Sequence, residues 1–150
     1  MGDQADADPV SIALAHLRTD STVLAAFGGA DHISGLVEAP WPHLRVTQGP
    51  GGSLRDLRWA LTSDVILEVY GAPDGSPGDA EMRRLGMRAV LAVKALQDKV
   101  YGPAEPVVSR VVPATNLAPS PVTGVGNLME LATGQSRWTA TLTLTLRPPA

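Results

Sequence analysis

The chain of 150 residues has no cysteine. Disulfides and thiolate metal sites are excluded, and nothing argues for an oxidising compartment. No apolar run approaches the ~18–20 residues of a membrane helix, so no membrane partner is expected. The first residues, Met-Gly-Asp-Gln-Ala-Asp-Ala-Asp, carry no apolar stretch and do not read as a signal peptide. Asp6 breaks the myristoylation pattern. Lysine is nearly missing: Lys94 and Lys99 stand beside ten arginines. With abundant Ala, Gly and Pro this reads as GC-rich coding bias. A net charge of −3 gives no case for nucleic-acid binding.

Chemical motifs are also missing. The three histidines, His16, His32 and His43, show none of the close pairing that metal sites use. Residues 49–53, Gly-Pro-Gly-Gly-Ser, lack the Gly-Lys-Ser/Thr ending of a phosphate loop. Residues 124–129 hold only half of a dinucleotide fingerprint. No Gly-x-Ser-x-Gly elbow occurs. Asp3, Asp6 and Asp8 lack the spacing and glycine of a calcium loop. Asp64 and Glu68, four apart on an expected strand, share a face and read as two solvated carboxylates. No enzyme activity and no cofactor or metal are expected.

What is present is patterned. From Arg137 to Arg147, Trp138, Ala140, Leu142, Leu144 and Leu146 alternate without error with Thr139, Thr141, Thr143, Thr145 and the flanking arginines. Period two is a strand with one face on a core and one on water or a partner. That is the mark of an antiparallel sheet covered on one side. The threonine face suits packing against a neighbour, and an exposed edge strand would invite strand addition. Met82, Leu85, Ala89, Val93 and Leu96 form one apolar stripe of a helix over residues 79–99. Asp79 reads as its cap, Asp79 and Glu81 suit its start, and Lys94 and Lys99 suit its end. Gly86 inside it costs about 1 kcal/mol against alanine, which predicts close packing against the sheet.

The remaining elements follow from breakers and caps. Residues 1–8 read as a disordered acidic arm, with Asp8 and Pro9 opening a helix over 9–27 that can break near Thr19 and stops at Gly28. Residues 39–42, Ala-Pro-Trp-Pro, form a stiff extended lead-in. Strands are expected at 43–48, 59–70, 107–112 and 137–147, with a short strand or turn at 127–133. Residues 49–53 read as a flexible loop. The order is α, β, β, α, β, (β), β in a single domain over 9–150. The fold class is α+β: a mainly antiparallel sheet covered on one face by two main helices. Trp41, Trp59 and Trp138 each read as core anchors or subunit contacts. Residues 1–75 hold ten acids and four bases, and residues 76–150 hold five acids and eight bases. Such opposed charge suits stacking of subunits, since complementary potentials fix register.

This order of elements, from "DPVSIALAHLRTDSTVLAAFGG" through "APWPHLRVTQ", "WALTSDVILEVYG" and "DAEMRRLGMRAVLAVKALQ" to "RWTATLTLTLR", resembles the tail terminator proteins of long-tailed bacteriophages. The resemblance covers nearly the whole chain. It implies a ring of identical subunits, six in the expected case, that caps the tail tube and stops its polymerisation. It implies the major tail tube protein and a head-completion or connector protein as partners. The place would be the tail-neck region of a virion assembled in a host cytoplasm. Candidate assembly contacts are Trp41, the hairpin residues Gly49, Gly51, Gly52, Arg55 and Arg58, and the threonine face Thr139, Thr141, Thr143 and Thr145. Arg55 and Arg58 would meet an acidic tube rim. A head-completion, neck or minor tail protein is the alternative within the same interface. A small α+β enzyme or ligand-binding domain is the alternative outside it, and it would need a polar cluster inside a pocket.

Overall fold

The structure is a computed structural model and describes residues 8–56, 60–120 and 135–147. The expected acidic arm, apart from Asp8, and the element at 127–133 lie outside those residues, as do Arg58 and Trp59. Helix α1 (Pro9–Leu17) starts where Asp8 accepts from Val10 N at 3.0 Å, with proline at the first helical position. It stops three residues before Asp20. That residue is extended, and its carboxylate accepts from Thr22 N and Val23 N to open α2 (Ser21–Phe27). A second cap so soon after the first turn-out breaks the expected helix in two. Gly28 ends α2 at φ +106°, a conformation that costs other residues a clash with their own Cβ.

A sheet forms the other layer. Its strands are β1 (Ile33–Ser34), β2 (His43–Asp56), β3 (Ala60–Tyr70), β4 (Val107–Pro113), β5 (Ala118–Pro119) and β6 (Arg137–Arg147). They lie in the order β1-β2-β3-β6-β4, with β5 also on β6. Only β1–β2 is parallel. The α+β expectation therefore holds, with three α-helices in place of two main ones. Strand β6 is not an edge, contrary to the idea that it could accept a strand. It pairs with β3 from Leu61↔Leu146 to Tyr70↔Arg137, and β4 and β5 take its other side.

The alternation of β6 sets the layers. Ala140, Leu142, Leu144 and Leu146 are buried, with Trp138 just inside the same class. They join Val65, Leu67 and Val69 of β3 in one core with Leu17, Val23 and Phe27 of α1 and α2. Helix α3 (Asp79–Lys94) adds Met82, Leu85, Ala89 and Val93, and a tight turn (Ala95–Asp98) adds Leu96, as the stripe predicted. Asp79 is the first helical residue, not the cap; Gly78 holds the cap position with no side chain to offer. Full burial of each leucine contributes roughly 1.5–3 kcal/mol.

Two departures concern glycines. Residues 49–53 are not a loop. They belong to β2, in a hairpin with register shifts between Gln48 and Gly52 and between Ser53 and Asp56. Glycine and proline are tolerated in strands at such irregularities and at edges. A Cβ on Gly49 would lie 3.0 Å from Asp64 Cβ, so the close approach of β3 favours glycine there. Gly86 does allow close packing, but against the side chain of Leu117 and not the sheet: a Cβ would lie 2.7 Å from Leu117 Cδ1. Alanine at 86 should therefore gain less than the helix preference of about 1 kcal/mol in the native chain. In a Leu117→Ala background the full gain should appear. Urea denaturation of the four chains of this double-mutant cycle checks it, and equal gains in both backgrounds would place Leu117 elsewhere.

Candidate assembly surface

The face of the sheet opposite the described helices is polar and ordered by register. Strand pairing sets His43, Tyr70 and Arg137 in one row, and Arg45, Glu68 and Thr139 in the next row on that face. Neighbouring rows bring their side chains within reach of one another. Glu68 Oε2 accepts from Tyr70 Oη at 2.7 Å, from Arg137 Nε at 3.0 Å and from Arg137 Nη2 at 2.6 Å. Arg45 Nη1 stands 3.6 Å from Glu68 Oε1. Glu68 is 3% exposed, so the expectation of a solvated carboxylate is overturned. Burial is tolerated because two guanidiniums and a phenol surround it. Burial and the bond to Glu68 push the Tyr70 phenol up to about 12. Asp64 shares the face, as expected, and accepts from Thr143 Oγ1 at 2.6 Å.

The four threonines flank this cluster and continue across β6. Thr139, Thr141, Thr143 and Thr145 are half-buried and all on the same face. Trp41 is half-buried too, with its ring edge-on to His43 at 6.4 Å between centroids. Residues 39–42 bend at this point in place of the expected extended run. Trp138 is in the core, its indole Nε1 without a hydrogen-bond partner among the described residues. Gly49, Gly51, Gly52 and Arg55 all lie on β2, well away in register from Thr139 but within one hairpin. The expected contacts thus fall into two groups: the hairpin arm, and the polar sheet face with Trp41 at its border.

One pairing was not legible in the sequence. His43 Nε2 lies 2.8 Å from Ser34 Oγ, which donates to Glu38 Oε1 at 3.0 Å and accepts from Leu36 N at 3.1 Å. A serine beside a histidine is the start of a nucleophilic site. Here the serine proton is committed to Glu38, so His43 donates to Ser34 and cannot act as its base. His43 is fully buried, and among the described residues its Nδ1 has no hydrogen-bond partner. Burial holds the imidazole below its ordinary value of 6.5. The arrangement pins β1 to β2.

A cleft of about 380 Å³ opens between α1 and residues 96–106, lined by Ile12, Ala15, Leu96 and Tyr101 with His16, Lys99 and Glu105 around them. Its polar groups are used internally. His16 Nε2 donates to Ala92 O, Glu105 accepts from Gly102 N, and the Lys99 ammonium sits over the Tyr101 ring. Among the described residues no three His, Asp or Glu side chains gather as a metal site would need. No helix there is long and apolar enough to cross a membrane.

The chain shares its fold with a virion chain. That solved structure is the virion of a native gene transfer agent particle, and the match has a TM-score of 0.52 at 17% identity. It covers 90% of this chain and 91% of the other, so the two folds correspond from end to end. No protein-family model and no curated protein matches the chain.

Two outcomes test the polar face. Glu68→Ala leaves two guanidiniums without their counter-charge and should destabilise the fold by about 3–5 kcal/mol in urea denaturation. A loss near zero would mean the cluster is open to water. His43 gives a pH signature. The folded imidazole stays neutral while the unfolded one protonates near 6.5, so its contribution is present above that pH. It falls away as the pH drops from 6.5 toward the depressed folded value. His43→Gln should flatten the stability–pH slope in that window; an unchanged slope would show that His43 titrates normally.

Proposed function

We propose that this chain is a virion structural protein and serves as the tail terminator: a ring subunit that caps a tail tube and joins it to the head connector. The observation that carries this reading is the end-to-end correspondence of fold with a virion chain. The order of elements, which resembles that of tail terminators, supports it. The chain acts by contact, not by catalysis. Among the described residues, the serine–histidine pair is part-buried with the serine proton given to Glu38, and Asp64 and Glu68 on the sheet face are committed to internal partners.

A terminator needs two unlike contacts. One is side to side and closes by rotation; the other is end to end with the tube. The hairpin of β2 and β3 carries Arg55 on β2 and suits the end contact. Deleting the gene from the particle that encodes it should give tails that run well past normal length beside heads left without tails, seen by electron microscopy. Tails of normal length in its absence would remove the terminator role. The purified protein should form rings, six-fold in projection, and show no hydrolase or transferase activity.

A further inference from the structure

We propose that the outward face of α3 is the side-to-side contact between copies, and that it receives residues 31–38 of the next copy. The buried stripe of α3 is complete, yet its solvent side is not polar throughout. Met87 and Leu91, four apart and so neighbours on the helix surface, are 45% and 56% exposed. Arg83, Arg84 and Arg88 surround them, all exposed. No acid occurs between Met82 and Gln97. Apolar residues on the water side of a helix mark a contact surface, and methionine and arginine are enriched in such surfaces.

The complement is on the same chain. Among the described residues the large exposed hydrophobics are Leu36, Met87, Leu91, Val100 and Val112. Leu36, at 51% exposure, lies between Asp31 and Glu38 in a stretch without lysine or arginine. One patch is apolar with basic flanks and the other is apolar with acidic flanks. They are not the same place. Residues 31–38 run along the β1 end of the sheet, while α3 packs over β3, β6 and β4. Two unlike, complementary patches on one subunit make a head-to-tail contact, which closes into a ring when the rotation allows.

The inference rests on the proposed ring, and its test separates the two. The native chain has no cysteine, so paired cysteines report one contact. Oxidising a Leu36→Cys/Leu91→Cys chain should give a ladder of linked subunits on a denaturing gel, and each single variant should stay unlinked. Linked dimers from either single variant would mean a symmetric contact and overturn the proposal. Arg84→Glu with Arg88→Glu should weaken association at least about tenfold in sedimentation, and Asp31→Arg added to it should restore part of the loss. Rings that still form in the charge-reversed chain overturn this contact and leave the ring itself standing. A native chain that stays monomeric at every concentration overturns the contact as one between copies, whereas the tail-length phenotype decides the terminator role by itself.

Discussion

Strand β6 lies between β3 on one edge and β4 with β5 on the other, so its backbone is paired on both sides. Its leucine face is dry, and α3 presses on it with an unbroken apolar stripe. The rest of the fold hangs on this strand. The hairpin of β2 and β3 is held to the body through β3–β6 pairing, and α1 and α2 are packed into the same core as α3. The segment after β4 stays on β6 as well. Ala114 N and Thr115 N both donate to Thr141 O, and Thr115 Oγ1 accepts from Thr141 N. A polar substitution at Leu142 or Leu144 would therefore disturb both layers at once.

The same strand was the most legible part of the sequence. Its bounds, Arg137–Arg147, and its two faces follow from alternation alone, because side-chain direction in a strand is a local property. The α3 stripe was legible for the same reason. The hairpin was not. Gly-Pro-Gly-Gly reads as a breaker, and only the closeness of Asp64 to Gly49 explains why glycine serves a strand there. Gly86 was correctly flagged as a site of close packing, yet its neighbour, Leu117, comes from a distant loop that no local pattern reveals. The polar cluster was hidden more deeply. Arg45, Glu68 and Arg137 are scattered along the chain and meet only because three strands take one register.

That cluster changes how the polar face should be understood. An alternating strand suggests a face of threonines open to water. The structure places a buried carboxylate under two arginines at one end of that face and half-buried threonines across the remainder. A buried ion triad adds little net stability over an apolar replacement, since desolvation offsets most of the attraction. What it provides is geometry. Glu68 accepts two nitrogens of Arg137 and the phenol of Tyr70 and faces Arg45 of β2 at 3.6 Å, which ties β2, β3 and β6 together at the base of the hairpin.

The edges of the sheet bear on how copies can meet. On β4, Val111 N donates to Gln97 Oε1 at 3.0 Å and Val111 O accepts from Lys94 Nζ at 2.7 Å. Side chains from the end of α3 thus occupy the backbone groups a further strand would need, and Pro113 has no N–H to offer beyond them. Growth of the sheet from copy to copy through this edge is blocked at its middle. On the other side, β1 covers only Leu44 and Arg45 of β2. With one edge closed, a continuous sheet running round a ring cannot form by joining β2 of one copy to β4 of the next. In the proposed ring, copies would then meet through side chains on their surfaces. The exposed Met87 and Leu91 of α3, on the same helix whose last turn closes the β4 edge, are where such a surface is available.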